Sequence, residues 1–433
     1  MSGALGLERD WNASVPQPGR LAQPLSRAVI WLLGAYLLAQ FFSLPVLHIG
    51  PWALWPTLPD LLLWAAFGCS LLYRQPMNPA HLPVWRGLLL MFALALLSFG
   101  LLFVMRDSRL SAATGFGSFQ LYKLAQTLAI FWMVARIPLT PAVLRRWYTA
   151  AAVAFTLMLV SVLWTYFSGV LPKWLGEFLP HGKGVSGPWE AYYLHNEPGL
   201  GMVGYNHGYV ALQVMTLAAL PLILRRTPSL WWLYAALIGC FLSGSRAGLA
   251  GCLLFAVLEW RRVPVRAGVG LVVLGVLGLA VVPFLGDSLG SLASRQATIL
   301  DASDPNNLAG RTDIWQSYLD AFAHDPYRLL IGSGFGSAIN NNSNAHFLPL
   351  QILYETGVAG LVAFGLFFSL LVNRLRATAS VPAGICLSLL AGLSLTAFSQ
   401  ETFYPNPAFG GFLPLLALVI AVALFQLPAE ASA

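Results

Sequence analysis

Charge is what this sequence has least of. Only 9% of its 433 residues are Asp, Glu, Lys or Arg and 58% are apolar, against about 25% and roughly 45–50% in soluble domains. So few charges cannot cover the surface of a water-soluble protein of this length, which excludes a soluble globular fold. Residues 88–104, 150–164 and 269–284 carry no ionisable side chain at all, as segments crossing a hydrocarbon core of about 30 Å require. Their apolar character is continuous and does not alternate, which excludes barrel strands. Cysteine is scarce too: Cys69, Cys240, Cys252 and Cys386 all fall inside apolar runs. They lack metal-ligand spacing and read as small buried hydrophobes. There is no internal repeat, which argues against an inverted-repeat transporter. Nucleotide-phosphate loop, nucleophile elbow and paired-carboxylate signature are also missing.

What is present is ordered along the chain. About twelve apolar spans have approximate cores at 29–48, 57–73, 86–105, 118–135, 143–168, 208–224, 230–243, 247–260, 267–285, 346–372, 382–399 and 409–427, given the roughly 20 residues that a crossing needs. The net charge of +7 rests largely on arginines in short connections. With residues 1–28 as a loose cytoplasmic tail, every second connection carries at least two arginines, such as Arg145 with Arg146 or Arg374 with Arg376. That is the positive-inside pattern of a multi-pass protein and not a nucleic-acid patch. Both termini are then cytoplasmic, the second tail being 428–433, and no cleavable signal segment is expected. The expected fold is an all-α polytopic membrane protein. Nine spans lie within 29–285, which includes an outer loop at 169–207. A large outer loop follows at 286–345, then three spans within 346–427.

Both outer loops are longer than a connection needs. The first holds His195 and ends at His207. Its histidine spacings match no compact metal motif, and its aromatics suit either a sugar platform or interfacial anchoring. The second shows helical apolar spacing over 287–300 and 312–323, then a glycine tract at 332–336 that reads as a flexible link.

Few ionisable residues stand where chemistry is possible. Arg246, in Ser243-Gly244-Ser245-Arg246-Ala247-Gly248, lies between two short spans at the outer surface. It reads either as an anion ligand beside a helix N-terminus or as a snorkelling interfacial residue. Arg311 opens a helix in Gly310-Arg311-Thr312-Asp313-Ile314-Trp315, with an ion pair to Asp313 as its alternative. His346 follows Asn344 where a polar loop enters the tenth span, a place where an imidazole can accept a proton near neutrality. A helix-start histidine satisfied by backbone or water is the alternative there. Glu355 is about half a turn round the helix from His346, so the two are not read as a dyad. Glu401, in an outer loop, can line the same cavity, and Asp60 reads as interfacial.

Taken in order, the Gly-Ser-Arg corner at Arg246, the Arg311 stretch, and His346 with Gln351, Glu355, Thr356 and Gly357 resemble the bacterial O-antigen ligase and O-antigen polymerase family. The segment at Asn206 and His207 is similar to the family's Asn-bearing stretch. The resemblance implies about a dozen helices in a membrane glycosyltransferase fold of the GT-C-like kind. It implies transfer of a glycan from undecaprenyl diphosphate to an acceptor hydroxyl on the periplasmic face of the bacterial inner membrane. Arg246 and Arg311 would hold the diphosphate and His346 would activate the acceptor, with Asn344, Glu355, Glu401, Asn206, His207 and His195 as acceptor-binding or supporting residues. A metal-independent, inverting transfer with no cofactor is expected. The acceptor is lipid A–core for a ligase, or a second lipid-linked glycan for an O-antigen or exopolysaccharide polymerase. A lipid-linked glycan transporter is the reading from another class. The residue after His346 is Phe347, where the family often has Asn, so a supporting hydrogen bond is either missing or supplied by Asn344.

Overall fold

The computed structural model describes residues 22–43, 56–72, 75–105, 110–168, 199–203, 206–225, 229–262, 311–341, 344–405 and 412–425, with isolated residues at 46, 290, 292, 293 and 296. The expected span at 267–285, the stretch 169–198 with His195, and most of 286–310 lie outside the described residues. Every described element is helical, with no strand among the described residues. The helices are α1 (Ala22–Leu38), α2 (Leu58–Leu71), α3 (Leu82–Met105), α4 (Leu110–Val134), α5 (Pro141–Ser168), α6 (His207–Arg225) and α7 (Leu230–Leu242). After them come α8 (Arg246–Trp260), α9 (Arg311–His324), α10 (Arg328–Ile331), α11 (Leu348–Thr378), α12 (Val381–Thr396) and α13 (Phe412–Ala423).

Among the described residues, five segments are long and apolar enough to cross a membrane: Pro24–Phe41, Leu82–Met105, Pro141–Phe167, His207–Arg225 and Leu348–Thr378. Four shorter apolar helices, α2, α7, α12 and α13, accompany them. Burial sorts these helices. The apolar window of α6 is 89% buried, against 17% for α3 and α11, so α6 is the central post and the other two stand at the rim. It packs against α5, α7, α8, α12 and α13. The rim helices turn Leu90, Leu97, Val104, Val362 and Leu366 outward, a surface whose natural solvent is hydrocarbon. Helix starts follow local chemistry: the Thr57 hydroxyl and Asp60 form a capping box on α2, and the Ser245 and Ser380 hydroxyls accept the third backbone N–H of α8 and α12.

Asp60, expected at the interface, is instead buried. Its carboxylate receives Lys123 Nζ at 2.9 and 3.0 Å and Gln126 Nε2 at 2.8 Å, and both charged side chains are nearly fully buried. The reason is energetic: neither charge is tolerable alone in an apolar bundle, and each neutralises the other. The pair ties α2 to α4.

The glycine tract 332–336 is likewise not a flexible link. Gly332, Gly334 and Gly336 have φ of +80, +102 and +100°, conformations that only glycine adopts without strain. A Cβ on Gly336 would sit 2.5 Å from Gly117 Cα on α4, and one on Gly332 would lie 2.5 Å from the Glu355 carbonyl oxygen. The tract is a backbone turn docked into a crevice between α3, α4 and α11.

The buried pair yields a stability prediction. Lys123→Met leaves Asp60 charged and unpaired and should cost about 3–5 kcal/mol, read as a lower melting temperature of the purified protein in detergent. Adding Asp60→Asn to Lys123→Met should recover most of that loss.

Candidate active site

The site is built on a turn that the sequence makes strained. His346 lies two residues before α11 with φ of +49°, a left-handed conformation that costs a non-glycine residue about 1–3 kcal/mol unless its surroundings hold it there. Three groups do so. The backbone N–H of His346 donates to Glu401 Oε1 at 2.5 Å, that of Ala345 donates to Gln351 Oε1 at 2.9 Å, and the Ala345 carbonyl accepts from Trp315 Nε1 at 2.8 Å. Trp315 belongs to the same α9 stretch as Arg311, so the motif that carries the arginine also clamps the histidine turn. Phe347 completes the clamp, packing against Trp315 and Phe398 with ring centroids 5.8 and 6.2 Å apart.

Glu401 does more than hold the backbone. Its Oε1 also lies 3.5 Å from His346 Nδ1, and its Oε2 accepts from the Tyr209 hydroxyl of α6 at 3.2 Å. Burial pushes this carboxyl up, but the His346 ring and backbone N–H groups outweigh burial and hold it below its ordinary value. An ionised carboxylate at Nδ1 favours the tautomer with the proton there, leaving the Nε2 lone pair as a base. The ring is 27% exposed, and among the described residues Nε2 carries no hydrogen bond. The group that faces Nδ1 is therefore Glu401 and not Asn344, which is half-exposed ahead of Ala345.

Arg311 feels both Arg246 and Glu401 electrostatically. Arg311 is held below its ordinary pKa first by burial and then by the positive charge of Arg246, and Glu401 opposes both. Arg311 thus lies within electrostatic reach of charges from two other chain segments. Arg246 is the first residue of α8, where the helix dipole is itself positive, so the corner and its side chain both favour an anion. His207 braces the corner by bonding through Nδ1 to the Ser243 carbonyl. Asn206 Oδ1 caps α6 by accepting from Gly208 N at 2.8 Å and meets Gln400 Nε2 at 3.4 Å. These two residues position elements around the site.

Glu355 stands apart from His346, as its place on the helix implies, and supports the turn from beneath. It is fully buried and accepts from Tyr404 Oη at 2.7 Å, Gln351 Nε2 at 2.9 Å and Ala338 N at 3.3 Å. Gln351 leads to Ala345, and Tyr404 N donates to the Glu401 carbonyl at 3.0 Å. Sequence reasoning missed Trp315, Tyr209 and Tyr404; only the position of Trp315 next to the Arg311 motif hinted at any of them.

Residues 229–365 match a family model described as O-antigen ligase. This stretch is similar to the O-antigen ligase family. The O-antigen ligase match takes in Arg246, Arg311, His346 and Glu355 and ends before Glu401, the carboxylate on which His346 rests. The family carries glycosyltransferase-type activity on lipid-linked glycans. No curated protein and no solved structure matches the chain.

Glu401→Gln removes the charge behind the imidazole while keeping an acceptor for the His346 N–H. Turnover should fall roughly 10–100-fold, part of the 10²–10⁴ that a general base supplies, with KM for the lipid-linked substrate little changed. The lowered carboxyl sets the sign of the pH response. A depressed carboxylate keeps its ionised-state contacts at every pH above its unfolded value of about 4.3 and loses them as pH falls through the lower folded value. Glu401 therefore stays ionised across the neutral range, and Glu401→Gln should lower the rate by a similar factor throughout it.

Proposed function

We propose that the protein transfers a glycan from undecaprenyl diphosphate to an acceptor hydroxyl on the periplasmic side of a bacterial inner membrane, with lipid A–core as the favoured acceptor. What supports this reading is that Arg311 lies within electrostatic reach of both Arg246 and Glu401, the buried carboxylate behind His346. Two like charges are held together at a cost in free energy that an anion placed between them removes, and a diphosphate is such an anion. Arginine is always charged and can bind phosphate oxygens through two parallel donors.

The proposed reaction is a single displacement. The acceptor hydroxyl gives its proton to His346 Nε2 as its oxygen bonds to the anomeric carbon, and the bond from that carbon to the diphosphate oxygen breaks. Negative charge grows on the departing diphosphate, and fixed guanidinium groups favour that transition state over the ground state. Attack opposite the leaving group inverts the anomeric centre. With two permanent cations at the leaving group, the step needs no divalent metal. Glu401 acts as a positioning residue that fixes the imidazole and stabilises its protonated form.

An apolar, partly open pocket supports a lipid-linked donor. Its walls include Met91, Ala95, Phe364, Phe368 and Leu416, and it reaches Phe403 and Tyr404, within three residues of Glu401. A polyprenyl chain suits such a wall. The twelve-span, GT-C-like arrangement with both termini cytoplasmic belongs to the same proposal, as does the division at 169–207 and 286–345.

Deleting the gene and restoring it as wild type or His346→Ala tests the reading on an envelope polysaccharide gel. For a ligase, the deletion should leave polymer on its lipid carrier and none on lipid A–core, and His346→Ala should behave like the deletion. Core capped with one repeat would assign the polymerase reaction instead. Full glycan restored by His346→Ala would overturn the catalytic role and favour transport.

A further inference from the structure

The segment that links α9 to the histidine turn lies deeper than an outer loop needs to. Three helices serve as rulers, because their arginine-bearing ends share one layer. Arg374 Nε donates to the Ala80 carbonyl at 3.1 Å, Arg136 Nε to that of Gln75 at 2.5 Å, and Asn78 N to that of Ala135 at 2.9 Å. The 17 steps from Gly357 to Arg374 measure about 26 Å at roughly 1.5 Å each, and the Leu330 carbonyl rests on Gly357. The 20 steps from Leu82, where α3 leaves that layer, to Leu102 measure about 30 Å, and Gly334 packs on Leu102. The 19 steps from Gly117 to Arg136 measure about 28 Å, and Gly336 packs on Gly117. All three heights fall within a hydrocarbon core of about 30 Å, and helix tilt only reduces them.

The chemistry of the segment suits that depth. Arg328, its one cation, is spent on Asp325 at 2.9 Å and Ser333 Oγ at 3.1 Å. The backbone is satisfied by protein: Gly332 N donates to the Arg328 carbonyl, Ser333 N to that of Tyr354 and Gly334 N to that of Glu355, at 2.8, 2.7 and 3.1 Å. Irregular backbone is tolerated at membrane depth only when it is paired in this way. Yet Leu329, Leu330 and Ile331 face outward, Leu330 with 67% of its surface exposed. They continue the outward row of Val358, Val362 and Leu366 on α11, a row that stands at the rim of a membrane-spanning bundle.

We propose that residues 327–336 form a re-entrant turn that dips into the outer leaflet, with Leu329, Leu330 and Ile331 in contact with lipid acyl chains and the glycines lodged against α3, α4 and α11. This turn anchors the outer helices to the membrane surface, whatever reaction the site performs.

Nitroxide labels at Leu330→Cys and Ile331→Cys test this in the full chain, reconstituted in phosphatidylethanolamine–phosphatidylglycerol vesicles with the four native cysteines replaced by alanine. Val362→Cys is the lipid-facing control and Asp320→Cys the aqueous one. The turn predicts that oxygen relaxes the Leu330 and Ile331 labels more than a nickel chelate does, with a ratio matching that at Val362. A ratio matching Asp320 would place the face in water and overturn the proposal. Low accessibility to both reagents would show a protein partner covering the face and overturn it equally. On the unaltered chain, a phospholipid with a diazirine in its acyl chain should label residues 329–331. Labelling of Val362 and Leu366 without those three would contradict the re-entrant depth.

Discussion

A carboxylate buried at the edge of a membrane must find hydrogen-bond donors or give up its charge, and Glu401 finds them in His346. One oxygen takes the backbone N–H and faces the imidazole, while the other takes the Tyr209 hydroxyl. That single residue couples three things that would otherwise be independent. It holds a strained backbone in place, lies beside the imidazole of His346, and ties the loop after α12 to the start of α6. The nearby guanidinium of Arg311 reinforces the ionised state. In a low-dielectric setting such a network either closes fully or is unstable, which is why the turn has little room to move.

Beneath it, Glu355 performs a parallel task for the scaffold. Its carboxylate gathers Tyr404, Gln351 and Ala338, and its own carbonyl accepts from the Ser98 hydroxyl at 2.6 Å and from Gly334 N. Non-helical backbone at Gly357, with φ of +68°, breaks α11 just beyond it and makes room for the docked glycine turn. The site thus rests on rigid helices below and a Trp315 clamp above, the arrangement that precise positioning of reacting groups demands.

Much of this was legible because the chain is so apolar. When 9% of residues are charged, each ionisable group outside an arginine-bearing connection stands out, and Arg246, Arg311 and His346 are singled out in this way. Long helices were legible from continuous hydrophobicity for the same reason. The pairings were not. Asp60 and Lys123 are 63 residues apart in sequence, and nothing local marks them as partners, so Asp60 was read as interfacial. The tract Gly332-Ser333-Gly334-Phe335-Gly336 misled for a subtler reason. Glycine is chosen both where a chain must move and where backbones must touch, and composition is the same in both cases; only the contacts with Gly117, Leu102 and Glu355 distinguish them. Likewise, the family's usual Asn after the histidine is Phe347 here. The supporting role passes to Glu401, 55 residues further on, beyond the reach of motif spacing.

In the proposed reaction Arg246 and Arg311 act together on one diphosphate while His346 acts on the acceptor. A double-mutant cycle on donor binding tests it most directly, using purified protein in vesicles and an undecaprenyl-diphosphate-linked glycan. The account predicts that Arg246→Ala and Arg311→Ala each weaken binding by about 10-fold or more, since each removes a charged hydrogen bond of about 1.5–3 kcal/mol. The pair should show a coupling of about 0.5–3 kcal/mol, and His346→Ala should bind the donor like wild type yet fail to turn it over. Arginine variants that bind the donor as tightly as wild type, or a His346→Ala protein that transfers glycan at the normal rate, would contradict it.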